Sequence, residues 1–437
     1  MIEITEYSRE TVALPPISLE DQERMRQALG GKLAVAWLSD DRVELRATSF
    51  VGSIHLTPDL RVRVIPKLAG GNLGVLTMLA LTNGCSIHDL PQYLRGLSAD
   101  SSEDAVQLLC RLVVTNTEAL VTRGLIRDYR GHADDLPFLR GRLDTYRQAT
   151  VYHGKFTALA CSFDEFDYDN VENHLLLAGV SVARRVSLDA QIRRRAAAVQ
   201  ERLEQIAPTL PSTRALLATP IVYGRRTEPY RAAHTWCRAL IDLSRVNDAN
   251  ESVLRVETFL IDMNRLFEQF VEWLIAQVML APEIVVQTQE RNSSVISVNG
   301  ASRRSIAPDI VLHSGMRKCA IDSKYKQYDD KSISNEDIYQ LLLYAQCYVG
   351  FTHTPTSYLV FPASGAQTPE MTVELAVPSE GDERKVRIRA VGIPLAAIVA
   401  DLRRGETEHL DTTISALRRV LSSAVPSAAG TKQSPLP

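Results

Sequence analysis

A chain of 437 residues, 45% hydrophobic and 23% charged, has the length of two or three domains and the composition of an ordinary globular protein. Its formal net charge of −3 excludes a protein that is basic throughout, so contacts with nucleic acid have to come from local clusters of Lys and Arg. Also excluded are a bilayer-crossing helix, which needs ~18–20 consecutive apolar residues, and a secretory signal over Met1–Glu6. The cysteines form no CxxC pair and the histidines are dispersed, which argues against a zinc site; a cytoplasmic protein with reduced thiols is expected.

Residues 1–70 read as a β-rich, barrel-like domain. Leu33–Leu38 is a strand-like run, Val43–Ala47 alternates, and Ser53–Leu56 and Leu60–Ile65 flank the break Thr57-Pro58-Asp59. Residues 71–250 read as a mostly helical, basic region, in which Ser101–Asp104 is placed to cap a helix from Ala105 to Val121. A loop-rich stretch over 123–147 holds Arg123, Arg127, Arg130, Arg140, Arg142 and Arg147, and helix resumes over 171–207. Pro208–Pro220 and Val246–Ser252 look like connectors. Residues 251–422 form a further domain, and 423–437, rich in Ser, Ala and Pro, are expected to be disordered.

The stretch Pro308–Lys324 carries the chemistry. Two apolar runs flank a polar turn, and Gly315-Met316 suits a two-residue type II′ loop. That loop fixes the register: Ser314 faces Arg317 and, counting outward, Asp309 faces Asp322 on one side of the hairpin, with Cβ atoms ~4.5–5.5 Å apart. Lys324, two residues on, shares that side. Carboxylates so close repel each other unless a cation intervenes, and oxygen ligands suit Mg²⁺, with Mn²⁺ as a substitute. A metal held there activates water while Lys324 orients it and offsets developing charge, which is chemistry for phosphodiester hydrolysis.

Phe259–Leu280 has apolar residues at helical spacing and leaves Glu268 off the stripe as a third carboxylate, with Glu272 one turn on as its rival. Ser334–Asp337 is a capping-box signal that opens a helix carrying Gln340 and Tyr344, an i, i+4 pair able to reach a nucleic-acid backbone or brace the site. Ser357–Phe361 reads as a buried strand. The order helix, strand, hairpin, helix, strand is that of a restriction-endonuclease-like α/β core, so the fold class expected is α+β and multidomain. The bland alternatives are a surface salt-bridge ladder across the hairpin for Asp309, Asp322 and Lys324, and a solvated helix charge for Glu268.

Phe267-Glu268, Pro308-Asp309, Asp322-Ser323-Lys324 and Gln340-x-x-x-Tyr344 together resemble the PD-(D/E)xK nucleases of the RecB-like branch. More specifically they resemble the McrC subunits of McrBC restriction systems, which cleave DNA carrying modified cytosine. Val51-Gly52 through Ile65-Pro66-Lys67, Leu139–Asp144 and Phe163–Asn173 are similar to McrC segments outside the nuclease core. The resemblance implies a Mg²⁺-dependent endodeoxyribonuclease subunit of a phage-defence system acting on modified double-stranded DNA, away from membranes. Asp309, Asp322, Lys324 and Glu268 are then catalytic, with Asp309, Asp322 and Glu268 as metal ligands and Gln340 and Tyr344 auxiliary. It also implies that the N-terminal region docks on a hexameric AAA+ GTPase, McrB, and stimulates it; the chain has no phosphate-binding loop of its own. Two other readings stay open: a stand-alone RecB-like DNA repair nuclease, and a non-catalytic adaptor that activates an AAA+ NTPase.

Overall fold

Alternation in Arg42–Ala47 translates directly into structure: Val43, Leu45 and Ala47 are buried while Arg42 and Arg46 face solvent. A computed structural model describes every residue except 14–17, 30, 39–41, 58–59, 98–102, 154–156, 209–210, 249–257, 279–283, 299–300, 315–316, 329–331, 349–353, 378–383 and 423–437. The expected turns at 39–41, 58–59 and 315–316, the cap residues Ser101-Ser102 and the C-terminal tail lie outside the described residues. Residues 1–105 and 253–437 group into one unit and 106–252 into a second. The two ends of the chain therefore share a unit, a grouping different from the linear division at 70 and 250.

The N-terminal part of the first unit contains β1 (Ile2–Thr5), β2 (Arg9–Ala13), α1 (Leu19–Leu29), β3 (Leu33–Trp37), β4 (Arg42–Ala47), β5 (Phe50–Thr57), β6 (Leu60–Ile65), α2 (Asn72–Thr82) and α3 (Leu90–Tyr93). Its strands form one ladder in the order β2-β4-β3 and another in the order β1-β6-β5. Among the described residues these are separate ladders, and the other edge of β5 pairs with a strand from residues 258–262. Asp104, directly before the helix that begins at Ala105, accepts hydrogen bonds from Ser53 and Arg61.

The second unit contains α4 (Ala105–Arg123), β7 (Asp128–Leu136), β8 (Arg142–Leu143), α5 (Thr145–Thr150), β9 (Leu159–Asp167), α6 (Val171–Val186), α7 (Ala190–Ile206), α8 (Thr213–Ala218) and α9 (Arg231–Asp248). The stretch expected to be loop-rich holds β7, paired with β9 along nine residues. Its sequence, Asp-Tyr-Arg-Gly-His-Ala-Asp-Asp-Leu, shows no apolar alternation because most of the strand is exposed. Likewise α8 occupies part of the first expected connector, and α9 runs three residues into the second. Helices α6 and α9 approach closely at Gly179, where a Cβ would lie 2.4 Å from Cys237 Sγ.

The chain then returns to the first unit with β10 (Thr258–Asp262), α10 (Met263–Gln277), β11 (Val285–Thr288), β12 (Asn292–Val298), β13 (Ala301–Ile306), β14 (Ile310–Ser314), β15 (Arg317–Ser323), α11 (Asn335–Cys347), β16 (Thr356–Pro362), β17 (Glu370–Val377), β18 (Arg384–Ile393), α12 (Leu395–Arg404) and α13 (Glu408–Ser422). The helix expected from Phe259 starts only at Met263. Asp262 caps it by accepting from Asn264 N, and the residues before it pair with β5. The main sheet runs β11-β14-β15-β16-β18-β17. β15, β16 and β18 are mutually parallel, and α11 supplies the crossover that a parallel pair needs. Flanked on both edges, β16 is buried at every position. One core joins Val311, Ala320, Leu341, Tyr344, Leu359 and Phe361 across strands and α11. The class is mixed α+β, as expected. Five of the six free cysteines are buried, and no helix among the described residues is long and apolar enough to cross a membrane.

Candidate functional site

The β14–β15 hairpin has the register that its loop length dictates. Ser314 pairs with Arg317 and Ile310 with Ile321, which carries Asp309 to the position opposite Asp322. Asp309 lies one residue before β14, where its backbone carbonyl accepts from Gln289 N. Its Oδ2 accepts from both Ser323 N and Ser323 Oγ, each at 2.7 Å. Ser323 is thus a site residue that the sequence reading passed over; a small hydroxyl between an acid and a lysine was the only signal.

Asp322 is 1% exposed, and Lys324 Nζ stands 2.9 Å from its Oδ2. Burial and the neighbouring Asp309 charge push the Asp322 carboxyl above the usual carboxylate range, against the pull of Lys324. Burial alone would depress the Lys324 ammonium, but the Asp322 and Asp309 carboxylates outweigh it and hold the group above its ordinary value. Lys324 N donates to Val360 O, so the strand stays in the sheet up to the lysine.

Glu268 reaches the same group from α10. Burial, then the charges of Asp309, Asp262 and Asp322, raise its carboxyl to about 7, with Lys324 opposing. Glu272 is raised by burial and by Asp309 only, so of the two rivals Glu268 senses the whole cluster. The three acids do not close into a tight cage, however. Among the described residues the only three His, Cys, Asp or Glu side chains whose ligand atoms all lie within 4.8 Å of one another are His132, Glu165 and Asp167, on the β7–β9 ladder of the other unit.

Ser334 caps α11 as expected, accepting from Asp337 N. Asp337 itself is buried and accepts from Tyr328 OH at 2.6 Å and Lys326 Nζ at 3.1 Å, a network the sequence did not announce. Gln340 Nε2 donates to Tyr344 OH at 2.8 Å, and Tyr344 OH donates to Ala307 O at 3.2 Å. The i, i+4 pair therefore braces the backbone two residues before Asp309.

The chain matches, over residues 45–362, the family described as McrBC 5-methylcytosine restriction system component. It belongs to this family. No curated protein matches it. Among solved structures it is similar to a chain of the refined half-complex from the tetradecameric assembly of Thermococcus gammatolerans McrB AAA+ hexamers with bound McrC. The identity is 19%, 96% of this chain and 99% of that one are covered, and the TM-score is 0.54. A chain of the Thermococcus gammatolerans McrBC complex is 20% identical, with 64% and 88% covered and a TM-score of 0.40. At such identity the first likeness concerns the fold.

Proposed function

We propose that this chain is the DNA-cleaving subunit of a modification-dependent restriction complex. In this reading it is a Mg²⁺-dependent endodeoxyribonuclease of the PD-(D/E)xK kind that docks on, and stimulates, a hexameric AAA+ GTPase similar to McrB. The carrying observation is the convergence of Asp309, Asp322 and Lys324 at the start of β14 and the end of β15, with Glu268 in electrostatic reach. Membership of a 5-methylcytosine restriction family, and similarity to a chain of an assembly of McrB hexamers with bound McrC, support modified double-stranded DNA and the AAA+ ring as partners.

The residues present fit Mg²⁺. The donors are all oxygens, and this ion is commonly held by one or two carboxylates with waters and substrate phosphate, so a closed cage of three acids is not required. Asp309 and Asp322 would hold it, with Glu268 reaching in from α10. When bound, the ion supplies polarisation of a phosphate oxygen and acidification of a water. Ser323 fixes Asp309 through two hydrogen bonds. Lys324, kept charged by Asp322 and Asp309, orients the attacking water and offsets charge gathering on the phosphate. Gln340 and Tyr344 keep Ala307–Asp309 in place, and Gln340 also contacts the DNA backbone.

Docking falls to the β-rich residues 1–70 and, we add, to the β7–β9–β8 sheet. Tyr129, Phe138, Leu139, Tyr146 and Phe166 are exposed there, Tyr146 to 80% and Phe138 to 61%, an apolar concentration of the sort that marks an interface. Reconstitution with the AAA+ partner tests both halves on methylated and unmethylated DNA. Asp309→Ala, Asp322→Ala and Lys324→Ala are expected to abolish cleavage yet still bind and stimulate the ring. Phe138→Asp combined with Tyr146→Asp is expected to lose the ring. Normal cutting by the first three variants would remove the nuclease assignment.

A further inference from the structure

Two tethers connect the N-terminal sheet to opposite flanks of the site. On the Glu268 side, β5 pairs with β10 from Ile54↔Thr258 to Phe50↔Asp262. Met263 N then donates to Ser49 O at 2.9 Å and Asn264 Nδ2 to Ser49 Oγ at 2.8 Å. The helix that carries Glu268 thus starts from the N-terminal sheet.

On the Lys324 side the tether is a buried carboxylate. Glu6, 1% exposed at the end of β1, gathers three donors on its single oxygen Oε1: Lys67 N at 2.5 Å, Leu68 N at 2.7 Å and Tyr325 OH at 3.0 Å. Tyr325 is the residue after Lys324, and its own carbonyl accepts from Tyr7 OH at 2.9 Å. Tyr7 sits at φ 61, a left-handed conformation uncommon for a residue other than glycine. The Tyr325 ring also packs against Phe267, centroids 5.6 Å apart, and Phe267 precedes Glu268.

Burying a carboxylate and a phenol is costlier than burying a hydrocarbon pair, and it returns directional bonds that fix an orientation. Here the orientation fixed is that of the chain leaving Lys324. We infer that Glu6 and Tyr325 are positioning residues, through which the N-terminal segment sets the Lys324 ammonium against Glu268 and the two aspartates. Neither group touches the reacting atoms. The nuclease domain is on this view incomplete without the first strand of the chain, and a partner seated on the N-terminal region has a short mechanical path to the catalytic lysine.

This inference rests on the nuclease reading proposed above. The test uses the full chain with its AAA+ partner and measures kcat and KM for DNA, stimulation of the partner NTPase, and melting temperature. Tyr325→Phe, which keeps the ring on Phe267 and removes only the hydroxyl, is expected to lower kcat ~10-fold with KM and NTPase stimulation within about twofold. Glu6→Ala is expected to lower kcat ~100-fold, the order that follows from misplacing a reacting group by about an ångström. Glu6→Gln, whose amide oxygen still accepts from the same donors, is expected to recover most of that loss. Wild-type kcat in Tyr325→Phe and Glu6→Ala, alongside an inert Asp322→Ala, overturns the positioning role and spares the nuclease reading. Equal losses of cleavage, stimulation and melting temperature also overturn it, since a merely structural role would produce them. Normal cutting by Asp322→Ala overturns both.

Discussion

In the β7–β9 ladder Arg130 stands opposite Glu165 and Asp128 opposite Asp167, with His132 two residues along. In the β14–β15 hairpin Asp309 comes opposite Asp322, and Lys324 follows on the same side. Both are antiparallel pairs bearing acids and cations at register positions that face each other. The first lies mostly at the surface, where Arg140 meets Glu165 in a solvent-exposed ion pair. In the second, Asp322 is buried beside a core of Val311, Ala320 and Leu359. Water screens the first set, so its charges interact weakly. Burial raises the carboxyls of Asp322 and Glu268 in the second, and the Asp322 and Asp309 carboxylates keep Lys324 charged against it. Residue type and spacing do not separate a solvated ladder from a reactive cluster; the dielectric around them does.

Metal affinity separates the two strand pairs most sharply, because by geometry alone the partly buried group of His132, Glu165 and Asp167 is the tighter cage. Titration with Mn²⁺, followed by calorimetry or electron paramagnetic resonance, is expected to show the ion held by the hairpin. Asp309→Ala and Asp322→Ala are expected to weaken binding by at least the ~10–100-fold that even outer-shell partners of a metal are worth. His132→Ala is expected to leave that binding unchanged. The reverse pattern would make the β7–β9 ladder the metal centre.

A smaller effect follows from pH. Glu268 is raised to about 7 and Asp322 is raised in the same direction, so the folded, metal-free protein binds protons that the unfolded chain, with carboxyls near ~4, does not. The stability these groups contribute is complete below the ordinary carboxylate range and is lost as pH climbs through the folded values. Without metal, wild type is therefore expected to lose melting temperature relative to Asp322→Asn as pH rises from 5 to 8. Added Mg²⁺ replaces the protons and is expected to stabilise wild type more at pH 8 than at pH 6. A difference between the two proteins that ignores pH would show that the cluster is not electrostatically strained.

How much of this was legible depended on whether a signal was local. The hairpin register followed from a two-residue loop, so Asp309, Asp322 and Lys324 could be assembled by counting. Ser334 was legible from a capping-box signal and the Gln340–Tyr344 pair from its i, i+4 spacing. Glu268 was legible only as a residue off an apolar stripe, and the start of its helix was misread because Thr258–Asp262 pairs with β5, some two hundred positions away. Separation along the chain also hid Glu6, whose partners Lys67, Leu68 and Tyr325 share no local pattern with it. β7 was missed for the opposite reason: strand signals come from one buried face, and this strand has almost none.

The smallest expected effect concerns Glu165 on the β7–β9 ladder. Glu165 pairs with Arg140 at 3.4 Å and lies near His132, and both arginine and carboxylate are more than two-fifths exposed. Double-mutant measurements on such pairs give ~0.2–1 kcal/mol, so Glu165→Gln is expected to move melting by a degree or two at low salt and by nothing measurable at high salt. Cleavage per bound complex is expected to stay within about twofold, since the charges that act most on Asp322 are those of Asp309, Lys324 and Asp337. If the same substitution altered the rate of DNA cleavage while leaving partner binding intact, the ladder could no longer be treated as a solvated surface. Burial would then fail as the property that separates the two strand pairs.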